Sequence, residues 1–455
     1  MAVVIVGILV LRMHALLALI IGAFCVALLT PTENLRLYAD QKVAKSEWTQ
    51  KTAVKFIQKP ASMRVAEEFG RTSANLGILI AMATVLGEGM MLSGAAQTIA
   101  RAMLRVTGPK RAHWAFFSSS FLLCIPVMLD TVMYLVAPLF KAVARQTRKD
   151  YLLLVMCTVA GGTITHSLVP PTPGPLFVAG ELGVPLGTMI WMGSLIGMGA
   201  ALVGVAFAHF SNGREVLEVP DEDPAQAVSP DNLPPLWMAL IPVLLPLLLI
   251  GLDASFSDTL RAAGSPLAPW VSNLGDKDMA LTLGALSALA PLFFGLGTGS
   301  GAFAVQSAVN SGAAILLIIG AGGAFGGVLQ QTGIAADIAH RFEGLHAIGL
   351  PLVFFVTMLV RTAQGSATVA MITAAPIAKA LIAAGATTNP VYFAIAIGCG
   401  SKPFAWMNDA GFWIISKSSG LPESRMLRTV SPMMALQGFA GLIITMVFAW
   451  LFPLK

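Results

Sequence analysis

Seven apolar runs, at 3–29, 73–92, 187–209, 236–252, 279–296, 302–329 and 430–453, recur along the chain. Crossing the hydrocarbon core of a bilayer takes roughly 20 such residues in a helix. The runs are continuous rather than alternating, so they read as helices and not as strands of a barrel. Lipid offers the backbone no water, and a helix satisfies its own N–H and C=O groups. Only 11% of residues are charged, against about 25% in soluble domains. The expected fold class is an all-α polytopic membrane protein, in contact with lipid. The net charge of +5 comes from basic residues beside the apolar runs. There they orient the chain, and no nucleic-acid partner is expected. Cys25, Cys124, Cys157 and Cys399 lie in apolar stretches without CxxC spacing and read as packing residues. The first run lacks a small-residue cleavage site and reads as a retained helix. The break at Arg12–His14 leaves open one crossing or two short passes.

An internal repeat organises the rest. DTVMYLVAPLFK (130–141) aligns with TVAMITAAPIAK (368–379) at Met133/Met371, Ala137/Ala375, Pro138/Pro376 and Lys141/Lys379, each pair 238 apart. LGEGMMLSGAAQTIA (86–100) aligns with FGGVLQQTGIAADIA (325–339) through pairs such as Gly87/Gly326, Ser93/Thr332 and Gly94/Gly333, each 239 apart. A duplicated apolar unit with Pro/Gly-broken segments at matching places is the mark of a secondary transporter. The expected organisation is an N-terminal helix and polar loop (1–72), repeat one (73–210), a Pro-rich acidic linker on the cytoplasmic side (211–235) and repeat two (236–455). Ser93 and Thr332 can each cap a short helix. After Ser93, Gln97, Arg101 and Arg105 would form the polar face of an interfacial helix.

Each repeat then carries a hairpin too short to span. Residues 113–144 turn at a tip over Pro126–Asp130, and 350–383 turn at Gln364–Thr368. Thirteen residues of helix reach about 20 Å, against about 30 Å of hydrocarbon. Both read as re-entrant hairpins, which survive only beside protein or a water-filled cavity. Two broken helices follow, 151–182 interrupted at VPPTPGP (169–175) and 388–420 interrupted at GSKPFAWMNDAG (400–411). Hairpin one is flanked by Arg101, Arg105, Lys110, Arg111, Lys141, Arg145, Arg148 and Lys149, hairpin two only by Arg341 and Lys379. The positive-inside rule then sends the two hairpins in from opposite sides, as repeats of inverted topology require. Lys379 at its hairpin base is expected to snorkel.

The two tips and two breaks should meet near the midplane. Half-helix starts aimed at one cavity suit an anion, often a carboxylate. The expected substrate contacts are Arg361, Gln364, Gly365, Ser366 and Thr368 at the second tip. Pro171, Thr172 and Gly174 are expected from the first break, Asn408 and Asp409 from the second. Thr163, Thr165, His166, Thr362 and Ser401 add polarity, and Glu88 precedes the interfacial helix. Intramembrane ionisable residues are costly and default to function, so Asp130 and Asp409 are the candidate proton-coupling groups. No Ser-His-Asp order, metal-ligand spacing or phosphate loop occurs, and GTGSG at 297–301 does not end in Gly-Lys-Ser/Thr. An enzyme, a cofactor, a metal site and ATP coupling are therefore not expected, and polar groups confined to a blocked site favour a carrier over a channel.

AQGSATVAMITAA (363–375) resembles the gluconate permease (GntP) family of sugar-acid/proton symporters, as do LGEGMMLSGAAQTIA (86–100), the Asp130 tip, HSLVPPTPGP (166–175) and the NDAGFW stretch (408–413). The resemblance covers nearly the whole chain. It implies inverted repeats with paired hairpins, elevator-like movement of a transport domain against a scaffold, a homodimer and a bacterial-type cytoplasmic (inner) membrane. The chain departs from the family at GSKPFAWM (400–407), where Lys402 and Pro403 replace smaller, more neutral residues, and in a longer 31–72 segment. The expected function is proton-coupled symport of gluconate or a related small sugar acid. The alternative is a sodium-coupled carboxylate or amino-acid carrier. The expected scaffold is 187–209, 236–252 and 430–453.

Overall fold

The computed structural model describes Val4 and residues 13–44, 46–147, 149–213, 233–294, 301–333, 349–407 and 409–454. Most of the linker, the first flank of hairpin two and Asn408 lie outside the described residues. The described residues are helical, and six helices are long and apolar enough to cross a membrane, or up to seven if a bent pair counts as one span.

The N-terminal part corrects one expectation. The apolar α1 (Ala15–Leu29) bends by 98° into α2 (Thr32–Ala44). Next come α3 (Gln50–Ile57) and α4 (Ala61–Leu92). The expected polar loop is thus helical, and its boundary at 72 falls inside α4. A small cluster holds α2 to α3, with Leu35, Ala39, Ala53 and Phe56 buried and Tyr38 and Trp48 packed on it. That much apolar surface suffices for two short amphipathic helices and escapes a hydropathy window.

α5 (Ala95–Thr107) leaves α4 through Gly94, whose φ of +74° only glycine adopts readily. Gln97, expected on the polar face, is buried, while Val106 is exposed. The helix packs its N-terminal half inward, and Thr98 donates to Pro234 O at 3.1 Å. Hairpin one is α6 (Ala112–Leu123) and α7 (Leu129–Thr147). Asp130 therefore sits in the first turn of α7 rather than in the turn itself. The broken helix is α8 (Tyr151–Leu168) and α9 (Pro173–Leu182), followed by α10 (Leu186–Asn212).

The second half runs α11 (Leu236–Ala262), α12 (Ala268–Gly275), α13 (Lys277–Phe293) and α14 (Gly301–Gln330). Hairpin two is α15 (Gly349–Gln364) and α16 (Ala367–Ala383), joined by Gly365 and Ser366 alone. The second broken helix is α17 (Pro390–Gly400) and α18 (Ala410–Ser419), followed by α19 (Glu423–Arg428) and α20 (Val430–Leu451).

Small residues decide the packing. α14 lies along α4 because Gly320, Gly323 and Gly327 share one face, where added Cβ atoms would meet Phe69, Thr72 and Glu68. Each broken helix packs its first half on the first leg of its own hairpin, α8 on α6 and α17 on α15. Gly161 is pressed against Phe117 O in the first pair, and Gly400 against Phe354 O in the second. The second halves cross over, α9 onto α16 and α18 onto α7. α10 and α20 pack on these broken helices, and Gln437 of α20 donates to Ala160 O of α8 at 2.9 Å. α10 touches α11 only lightly, so the three expected scaffold helices do not form one group. α11 packs instead with α13, which with α14 flanks α4. The outer faces of α10 and α20 expose Trp191, Leu195, Phe210, Ile443 and Trp450, an apolar surface that water would disfavour and lipid accepts.

Candidate substrate site

The reciprocal crossing of α9 with α16 and of α18 with α7 brings tips and breaks together. Between them lies a cavity of about 190 Å³, lined by Asp130, Thr163, His166, Arg361, Gly365, Ser366, Thr368, Lys402 and Asp409 among others.

The second tip is built first from backbone. Gly365 has φ +76°, which lets the chain reverse between two helices with almost no loop. Ser366 then caps α16, accepting the Val369 N–H at 3.4 Å. Arg361, on the last turn of α15 and 3% exposed, forks its guanidinium. One arm donates to Gly365 O and the other to the Asp409 carboxylate. Asp409 is itself the cap of α18 and accepts the Gly411 N–H at 2.8 Å. One buried ion pair thus ties a hairpin tip to a helix break 48 residues away. Arg361 Nε has no partner among the described residues.

Asp130 enters from α7 and is half-buried, with no ion pair among the described residues. Lys402, in the break after α17, is 2% exposed, and its Nζ donates to Thr163 O at 2.6 Å. His166 follows one turn after Thr163 on α8, and its Nδ1 is buried without a partner among the described residues. The N-termini of α7, α16 and α18 open on the same space. The positive ends of these helix dipoles add favourable potential where an anion would sit.

The expected contacts therefore divide. Asp130, Arg361, Gly365, Ser366, Thr368 and Asp409 share the cavity. Pro171 and Thr172 line a smaller neighbour of about 50 Å³, together with Glu88, Thr84, Thr131 and Ser311. Met128 lines both spaces. Gly174 is packed under Met371 and gives α9 its close approach to α16. Gln364 does not line the cavity. Asn408 lies outside the described residues. Thr165, Thr362 and Ser401 bond to the backbone of their own helices, which satisfies their hydroxyls without a ligand.

Lys379, expected to snorkel, instead pairs with Glu181 of α9 at 3.1 Å. Lys402 stood out in the sequence only as a departure from a resemblance. The signal that marks it is simpler: an ammonium group in an apolar segment at a helix break is expensive unless it acts.

Residues 59–451 match the family described as GntP family permease. The chain is 31% identical over 382 residues to a gluconate permease of Pseudomonas aeruginosa, covering 82% of this chain and 84% of that one. It is 29% identical over 391 residues to the inner membrane permease YgbN of Escherichia coli, covering 83% and 86%. In fold it is similar to the MtrF efflux pump of Neisseria gonorrhoeae, with a TM-score of 0.64 at 15% identity, covering 87% and 86%. The chain belongs to the GntP permease family, a family of transporters and not enzymes, and is a multi-pass protein of the inner membrane.

Proposed function

We propose that this permease is a secondary active transporter that carries gluconate, or a related small sugar acid, in symport with protons. The observation that carries the reading is the cavity between two hairpin tips and the second helix break, with three helix N-termini and two cations facing it. The name of the Pseudomonas relative supplies gluconate as the substrate class. Asp409 is committed to Arg361 and to the α18 N-terminus, whereas Asp130 has no ion pair among the described residues. Asp130 is therefore assigned the proton. Protonation removes one negative charge from a cavity that must receive an anion. Proton and anion then favour each other's binding, by the same factor in both directions.

Duplication is supported by the paired contacts of Gly161 with Phe117 and Gly400 with Phe354, and by left-handed Gly94 and Gly333 at matching helix ends; inversion of the two repeats rests on the basic flanks of hairpin one. On this reading the hairpins, the broken helices, α10 and α20 move as one elevator against α4, α11, α13 and α14, and two chains pair through the scaffold.

Reconstitution into proteoliposomes tests the coupling. An acid-outside gradient is expected to drive gluconate accumulation, and a sodium gradient alone is not. Asp130→Asn, which imitates the protonated carboxyl, should keep substrate exchange and lose accumulation. Accumulation driven by sodium alone, or retained in Asp130→Asn, sinks the assignment.

A further inference from the structure

The cavity has two cations, and they are not equivalent. The charge of Arg361 is already paired: one terminal nitrogen holds Asp409 and the other Gly365 O, although its Nε stays open. Lys402 is as deeply buried, yet its one hydrogen-bond partner among the described residues is the neutral Thr163 carbonyl. An ammonium has three donors and no acceptor, and burying its charge without a counter-charge is costly. Of the two cations, Lys402 is thus the one with no carboxylate in contact among the described residues.

We propose that Lys402 receives the carboxylate of the substrate, while Arg361 holds the second tip in shape. The proposal rests on the symport reading above and assigns the anion to one atom, Lys402 Nζ. Charge balance agrees. With His166 neutral and Lys402 protonated, the charges of Arg361, Lys402, Asp130 and Asp409 sum to zero, so a bare anion would enter a neutral cavity. A proton on Asp130 leaves the single positive charge that one carboxylate neutralises. The α16 and α18 N-termini then face the rest of the molecule, and the Ser366 and Thr368 hydroxyls can meet those of a hydroxy acid. The Thr163 carbonyl aims the ammonium from α8, so the helix sets the position of the charge.

The test uses the full chain and the pairing of each acid with its uncharged amide. Gluconate, glycerate and lactate, with their amides, are titrated by thermal shift and by competition for uptake. The wild type is expected to prefer acid over amide. Lys402→Met should weaken the acid by roughly 30-fold or more, the cost of removing one partner of a buried charge pair. It should bind acid and amide alike, and its melting temperature without ligand should not fall. Lys402→Arg should keep the preference. If Lys402→Met does not fold, Lys402→Gln, which retains a donor for Thr163 O, takes its place with the same expectation. A neutral variant with the wild-type preference for acid, or one that loses acid and amide equally, overturns the proposal. A wild type that takes a different acid refutes gluconate as substrate, and the same comparison with that acid then decides for or against Lys402. A wild type that binds none of the acids overturns both.

Discussion

Arg361 and Asp409 illustrate what single residues contribute. Both were visible in the sequence as ionisable groups in apolar surroundings, which lipid makes expensive. Their pairing was not visible, because it spans two elements that only the tertiary fold brings together. Lys402 was equally visible as an oddity, and only its contact with Thr163 gives it a direction. The buried pair makes a sharp prediction. Arg361→Gln leaves the Asp409 carboxylate buried and uncompensated, a cost of about 3–5 kcal/mol. A large fall in melting temperature and loss of uptake are expected. Asp409→Asn on the same background removes the orphaned charge and should restore most of the stability but not transport. A double variant no more stable than Arg361→Gln would mean that the pair does not act as a unit. An unchanged melting temperature in the single variant would remove the tie between tip and break altogether.

At the scale of elements, the helix pairs and the two breaks were legible because their Pro/Gly interruptions fall at matching places. Tip positions were less legible. The turn of hairpin one runs through Pro126 and ends before Leu129, so Asp130 is helical, and helix ends depend on caps that composition does not expose. The helices within 31–72 were less legible because their apolar residues are scattered among charged ones rather than continuous. Glycine contacts decide how closely the legs lie. Gly161→Ala puts a methyl group against Phe117 O and is expected to cost roughly 1–3 kcal/mol, since α6 must shift away from α8. Gly251, on α11, has nothing among the described residues within 4 Å of an added Cβ. Gly251→Ala should therefore be neutral or stabilise by up to about 1 kcal/mol through helix propensity. Thermal melts of the two variants separate close packing from a general dislike of substitution. Equal effects would show that α6 and α8 are not held by this contact.

For the whole molecule, the question is whether the two halves face opposite ways. The charges argue that they do. Arg101, Arg105, Lys110, Arg111, Lys141, Arg145 and Lys149 flank hairpin one, while Lys379 at the base of hairpin two is paired with Glu181. Basic flanks stay in the cytoplasm, so the α7–α8 connection is expected there and its counterpart between α16 and α17 outside. Opposite entry is also what alternating access needs, because each tip can then close the shared cavity from its own side. Two exposed residues report on this directly, Lys149 in the first connection and Thr387 in the second. In a variant whose Cys25, Cys124, Cys157 and Cys399 are replaced, Lys149→Cys should react with a membrane-impermeant maleimide only when the cytoplasmic face is open to the reagent. Thr387→Cys should react from outside in intact cells. Labelling of both from one side would end the inverted arrangement, and with it the elevator, because two hairpins entering from the same face cannot gate opposite ends of one cavity.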